Sequence, residues 1–250
     1  MDLGLAERVC VVTGSTGGIG LATTRLLVEE GARVVTSGRS HAPNAGEALH
    51  ISADLSAPEA PGDLIEAATQ ALGRVDVLVN GVGTAYITSF EAVSDGEWTE
   101  LWELNVMSYV RAIRAALPQM RERQSGVIVN VSSTAGKRPS PGMPHYSVTK
   151  AAVLSLSRLV ADVYAKDGIR CNAVTPGPTA TDAWLGRGGL ADQQGDRDEV
   201  LAKVAAGRPL GRLAEPDEIA SVIAFLCSER ASYVTGAAWS ADGGTVPIIV

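Results

Sequence analysis

The stretch "RVCVVTGSTGGIGLATTRLLVEE", residues 8–30, decides the fold. It opens on a β-branched apolar run, turns through Gly14, Gly18 and Gly20, and continues with apolar positions at helical spacing. An apolar run without polar alternation reads as a strand covered on both faces, as in a parallel sheet. A glycine-rich turn from strand to helix lets the backbone approach a pyrophosphate and aims the helix N-terminus at its charge. The spacing is GxxxGxG, not GxGxxG, and glycines also make ordinary turns. Its place after the first strand of a βαβ pattern favours the binding reading.

The same alternation continues outward. Residues 33–38, 75–80, 126–133 and 169–174 read as further buried strands, with a short one before Asp54. Residues 20–30, 60–72, 97–123 and 147–166 carry apolar positions at helical spacing. Strands alternating with helices predict an α/β fold: a single Rossmann-type domain over 1–250, its doubly wound parallel sheet covered by helices on both faces. Residues 40–49, with Pro43, Asn44 and Gly46, read as a loop. The run from Ala183 to Arg212 is first Gly-rich, then amphipathic. A long irregular insert of this kind is expected to form a lid, at about 183–205.

Bulk properties remove several classes of function. A chain of 250 residues can bury one sizeable core, and 46% hydrophobic against 20% charged residues argues against disorder. The net charge of −7 gives no footprint for nucleic acid or an anionic membrane. The N-terminus lacks the basic flank of a signal peptide. No stretch approaches the roughly 18 apolar residues that span a bilayer. Cys10, Cys171 and Cys227 suit buried thiols in a reducing compartment. His41, His50 and His145 make no metal-ligand spacing. These features predict a cytoplasmic protein without metal.

"HYSVTK" (145–150) places Tyr146 and Lys150 on one face of a helix. Alone, the pair fits a surface accident as well as a proton donor beside a cation. Other motifs stand in register with it. They are "TGSTGGIG" (13–20), "NGVG" (80–83), "LNV" around Asn105, "NVSSTAG" (130–136), Pro176–Gly177 and "YVTGAAWSADGG" (233–244). Together they make the chain resemble, over nearly its whole length, the short-chain dehydrogenase/reductase family in its compact form. 3-Oxoacyl-[acyl-carrier-protein] reductase-like members are included in that likeness.

The resemblance implies an oxidoreductase that interconverts a ketone or aldehyde and an alcohol by hydride transfer. It assigns the catalytic set Asn105, Ser133, Tyr146 and Lys150. Tyr146 is the general acid/base, and a cation at Lys150 is expected to favour its tyrosinate. Ser133 would hydrogen-bond the substrate oxygen, with Ser132 structural on the other side of the strand. Asn105 would hold a proton-relay water, or else serve as a helix-packing amide. The cofactor would meet Gly14, Ser15, Thr16, Gly18, Ile19, Gly20, Asp54, Leu55, Asn80, Gly81, Tyr146, Lys150, Pro176, Gly177 and Thr179. Asp54 would reach the adenine amino group, with Leu55 beside the ring, although a turn-forming Asp is the plainer reading. Gly81 replaces the second Asn of the family's NNAG turn, which puts one structural hydrogen bond in doubt.

The position that carries an Asp or Glu in NAD-preferring relatives is Gly38, followed by Arg39. Loss of the carboxylate and a guanidinium beside it predict NADP(H) as preferred cofactor, with NAD(H) possible. The basic residue often found before the second glycine is absent, being Gly17. The substrate pocket is expected to draw on Tyr86, Met143, His145, Trp184 and Leu185, which suits a largely apolar or neutral carbonyl. Lys137 and Arg138 could instead meet a carrier-bound substrate. The alternatives are an NAD-dependent alcohol dehydrogenase of the same family, or a catalytically idle dinucleotide-binding sensor. Trp98, Trp102, Trp239 and the tail "VPIIV" (246–250) need cover, and family habit makes that a homotetramer.

Overall fold

Seven parallel strands form one sheet in the computed structural model, which describes residues 2–40 and 44–247. They are β1 (Val9–Thr13), β2 (Arg33–Gly38), β3 (Leu49–Ser52), β4 (Val77–Asn80), β5 (Gly126–Val131), β6 (Ile169–Pro176) and β7 (Ala238–Ala241). Their order is β3-β2-β1-β4-β5-β6-β7, so the winding reverses between β1 and β4. A crevice opens at such a reversal, outside the carboxyl ends of the strands.

The apolar strand runs bury both faces. Val11, Val35, Leu78 and Ile128 face α2 (Ala60–Leu72), α4 (Ser108–Glu122) and α6 (Pro144–Tyr164). Cys10, Val12, Val34, Val129 and Val174 face α1 (Gly18–Glu29) and α9 (Pro216–Cys227). Period-two alternation of the strand therefore feeds two cores, one on each side of the sheet. Cys10, Cys171 and Cys227 are free and buried in them. Burial pushes the thiols of Cys171 and Cys227 up to about 12 and raises that of Cys10 as well.

Four local differences from the sequence expectation have physical causes. The helix expected over 97–123 is α3 (Asp95–Trp102), a π-helical turn (Glu103–Met107) and α4. Its start is fixed by a capping box between Ser94 and Glu97. The sequence reading omits α9, which the capping-box pair Glu215 and Glu218 and Pro216 in the first turn initiate. β5 ends at Val131: the Ser132 amide makes a last bond to Val174 O at 2.8 Å, and Ser133 then caps the helical turn that follows by accepting the Ala135 amide.

The expected irregular insert is largely ordered, with α7 (Asp182–Leu185), α8 (Arg197–Ala206) and a hydrogen-bonded turn system between them. Leu190 and Ala191 are buried there, and Arg197 makes a bidentate pair with Asp192 at 2.7 Å for each bond. Gln193 Oε1 accepts the Ile87 amide at 2.8 Å, which ties this segment to the loop after β4. His41 and Pro43, and Ile248, Ile249 and Val250 of the tail, lie outside the described residues. No described helix is long and apolar enough to cross a membrane. No group of three or more His, Cys, Asp or Glu that could hold a metal occurs among the described residues.

Candidate active site

Three elements converge on one cluster beyond β4 and β5. Ser133 follows β5, Tyr146 and Lys150 stand one turn apart near the start of α6, and Asn105 projects from the π-helical turn. Pro144 in the first turn of α6 fixes where that helix begins. The Ser133 hydroxyl stands close enough to that of Tyr146 to lower its pKa, and it also accepts the Ala135 amide at 3.1 Å. Lys150 is 4% exposed, and its Nζ donates to the Val131 carbonyl at 2.9 Å. That ammonium lies 5.7 Å from the Tyr146 ring centroid and 5.4 Å from that of Tyr109.

Asn105 is fully buried. Its Oδ1 accepts the Thr84 amide at 3.0 Å, while Nδ2 donates to Thr84 O at 3.1 Å and Thr149 Oγ1 at 3.2 Å. It clamps the loop after β4 against α6. Ser132 donates to the Lys150 carbonyl at 2.7 Å, a bond that braces α6.

Electrostatics correct one expectation. Burial raises the Tyr146 phenol above its ordinary range, and the Ser133 hydroxyl only partly opposes this. Burial also lowers Lys150 from 10.5 to about 8. Desolvation is therefore the dominant influence on the phenol, and the effect opposing it comes from Ser133. Tyr146 stands here as a protonated acid.

The dinucleotide side begins at the turn after β1. Gly14 holds a φ of 67°, and a Cβ on Gly20 would meet the Gly14 carbonyl oxygen at 2.2 Å. Ser15 is buried and laces β1 to β2: its Oγ donates to Val12 O and accepts the Ser37 amide at 2.8 Å. The first turn of α1 has no side-chain cap, and the space beside Gly17 is open. Uncapped N–H groups facing open space fit the phosphates of a dinucleotide. Thr16 lies over Gly38, where a Cβ would come within 2.3 Å of its Cγ2. Arg39 is exposed and makes no ion pair among the described residues.

The other residues expected at the cofactor make the following contacts. Leu55 is 3% exposed and packs in the core, so its side chain is not available to lie beside an adenine. Asp54 holds a turn, accepting the Ser56 amide at 3.1 Å and hydroxyl at 2.8 Å through Oδ1. Asn80 donates to Asn130 Oδ1 at 2.9 Å inside the sheet. Gly81 donates its amide to Thr13 Oγ1 at 3.0 Å, and a Cβ there would meet Thr13 O at 2.8 Å. Pro176 ends β6, Gly177 donates to Ala241 O, and Thr179 Oγ1 donates to Gly177 O at 3.0 Å.

His145 is fully buried between the rings of Tyr86 (4.4 Å) and Trp98 (5.9 Å). Two contributors escaped the sequence reading, Thr149 and Tyr109. The latter stands one turn after Asn105, with its hydroxyl donating to Val82 O at 2.9 Å. Helical spacing from Asn105 is the signal that would have found it.

Fold and site together define an oxidoreductase of the dinucleotide-binding α/β class. A family model described as Enoyl-(Acyl carrier protein) reductase matches residues 14–246. The chain is 38% identical to cis-4-hydroxycyclohexanecarboxylate dehydrogenase of Sinomonas cyclohexanicum, over 98% of each chain. It is 34% identical to the 3-oxoacyl-[acyl-carrier-protein] reductase of Vibrio cholerae, over 97% of this chain and 98% of that one. Among solved structures, L-sorbose reductase from Gluconobacter frateurii, complexed with NADPH and L-sorbose, superposes with a TM-score of 0.92. It has 34% identity, with all of both chains covered. The chain belongs to the short-chain dehydrogenase/reductase family.

Proposed function

We propose that the protein is an NADP(H)-preferring carbonyl reductase/alcohol dehydrogenase in which Tyr146 transfers the proton. The observation that carries this is the grouping of Tyr146 with the Ser133 hydroxyl and the buried Lys150 ammonium, 5.7 Å from the tyrosine ring. A bound nicotinamide dinucleotide would supply or accept the hydride at the substrate carbon. Ser133 and Tyr146 would both hydrogen-bond the substrate oxygen, polarising it towards reduction. A phenol held above its ordinary range keeps its proton at neutral pH, ready to give it to the developing alkoxide. Lys150 would hold the nicotinamide ribose and lend positive charge. Asn105 orders the wall behind it.

Gly14, Thr16, Gly18, Ile19, Gly20 and the open turn at Gly17 would hold the pyrophosphate, with Ser15 bracing the turn. Gly177 and Thr179 would receive the carboxamide through backbone groups. Gly38 offers no carboxylate, and the free guanidinium of Arg39 favours a 2′-phosphate. The substrate side, with Tyr86, Met143, Trp184 and Leu185, suits a largely apolar or neutral carbonyl under a lid at 183–205. A reducing cytoplasmic setting fits the buried thiols.

Tyr146→Phe tests the reading. The variant is expected to bind NADPH within about twofold of wild type, by nicotinamide fluorescence, while turnover on a carbonyl panel falls at least about 100-fold. Wild-type turnover would refute the assignment.

A further inference from the structure

A cavity of about 340 Å³ lies away from the catalytic cluster, between the Gly177–Pro178 turn after β6, the loop that precedes α9, and the end of β7. Neither Asn105, Ser133, Tyr146 nor Lys150 lines it. Its wall carries two arginines and two carboxylates, and only one arginine is matched. Arg212 donates two bonds of 2.6 Å to Glu218, whose Oε2 also accepts the Glu215 amide at 2.8 Å. Asp242 spends Oδ1 on the Gly244 amide at 3.0 Å and Oδ2 on the Val246 amide at 3.1 Å.

Arg208 is left over. Its one hydrogen bond runs from Nη1 to Gly207 O at 3.2 Å, and its Nε is buried without a partner. A buried donor left unmatched is costly, more so on a charged group. The neighbourhood adds to the imbalance. Arg138, exposed and unpaired among the described residues, lies close enough that burial first, and this like charge second, lower the Arg208 pKa. Lys137 donates to Ala238 O at 2.8 Å and to Ser240 Oγ at 2.9 Å, both uncharged, and Ser240 lines the same cavity. Arg208 and Lys137 share the one nearby carboxylate of Asp242, and Arg138 adds a further positive charge, so positive charge is in excess around this wall in a chain whose net charge is −7.

We propose that this cavity binds the phosphate or carboxylate group of a small organic anion, with Arg208 as its fork and Arg138 as a second positive charge. The Nη groups of Arg208 keep donors to spare for the oxygens of such a group, and an anion there would separate two guanidiniums that otherwise repel. The volume exceeds what the anionic group itself fills and leaves room for a small organic body. Gly177 lines this cavity and also belongs to the proposed carboxamide contact, while Arg208 and Arg138 have no part in that reading.

The test is calorimetric titration of sodium phosphate into the full chain at pH 7.5, with ionic strength held constant by sodium chloride. Wild type is expected to show one saturable heat that Arg208→Gln weakens at least tenfold and Arg138→Gln severalfold. Arg208→Lys, which keeps charge but loses the fork, should retain the wild-type circular dichroism and still bind more weakly. Arg39→Gln should leave the heat unchanged, separating this site from any phosphate held on the cofactor side. Absence of a saturable heat, or an Arg208→Gln variant that binds like wild type, would overturn the proposal. Steady-state kinetics then assign the source. Competition between phosphate and an anionic substrate marks the substrate's own tail, and non-competitive change of rate marks a separate effector.

Discussion

At the scale of single residues, the proposed NADP(H) preference turns on a pair. Thr16 occupies the space above Gly38 that any side chain there would need. Gly38→Asp alone is expected to weaken NADPH at least tenfold through repulsion, yet gain little NADH, because its Cβ collides with a stiff β-branched neighbour. Adding Thr16→Ala removes the colliding atoms, and NADH affinity should then rise about tenfold over the single variant, read by fluorescence titration. Equal NADH gains in both variants would clear Thr16 of the role.

Lys150 makes a second prediction. Its pKa falls from 10.5 unfolded to about 8 folded, so burial disfavours the ammonium by about 3 kcal/mol. The folded state binds fewer protons between those values. The penalty is therefore full below pH 8 and fades as pH rises to 10.5. Lys150→Met leaves the Val131 carbonyl with the Tyr109 hydroxyl at 3.2 Å as its side-chain donor, a loss of at most about 1 kcal/mol. The variant should still be more stable than wild type by about 1–3 kcal/mol at pH 7. Urea unfolding should show that gap closing by pH 10, while turnover is lost.

Elements show where sequence patterns carry structure and where they do not. β1, β2 and β4 to β6 were legible because strands covered on both faces leave unbroken apolar runs. The π-helical turn was not: one extra residue in a helical run changes hydrogen bonding without changing composition. Asn105 was legible as a motif, yet its clamp on Thr84 depends on that turn and on Thr149. Leu55 fits its motif position in sequence, but the turn after β3 places its side chain in the core. The residues of the Arg208 cavity come from three separate segments, 177–178, 208–219 and 240–244, and no spacing rule joins them.

The 183–205 segment gives a prediction of its own. Its hold on the loop after β4 is one bond from the Ile87 amide to Gln193, backed by the Asp192–Arg197 pair that keeps the Asp192 carboxyl down near 2. Gln193→Ala should raise the substrate KM severalfold with little change in kcat, because the loosened segment orders only on binding. A change confined to kcat would contradict its part in closure.

For the whole molecule, apolar surface remains uncovered on the single chain. Leu159 is 60% exposed, Val163 44%, Trp102 38% and Trp239 37%. Patches of that kind mark association, and a homotetramer is the proposed assembly. Light scattering should give four times the 25.9 kDa chain mass, and a monomeric mass would rule it out. The three cysteines have a practical consequence at this scale. Thiol reagents attack thiolates, and these are shut in the two cores with their proton affinity raised. The native chain is chemically blank to maleimide dyes. A cysteine placed at Leu185 would be the lone reactive handle, so a fluorophore could report the movement of one segment without first stripping the protein of its own sulfur.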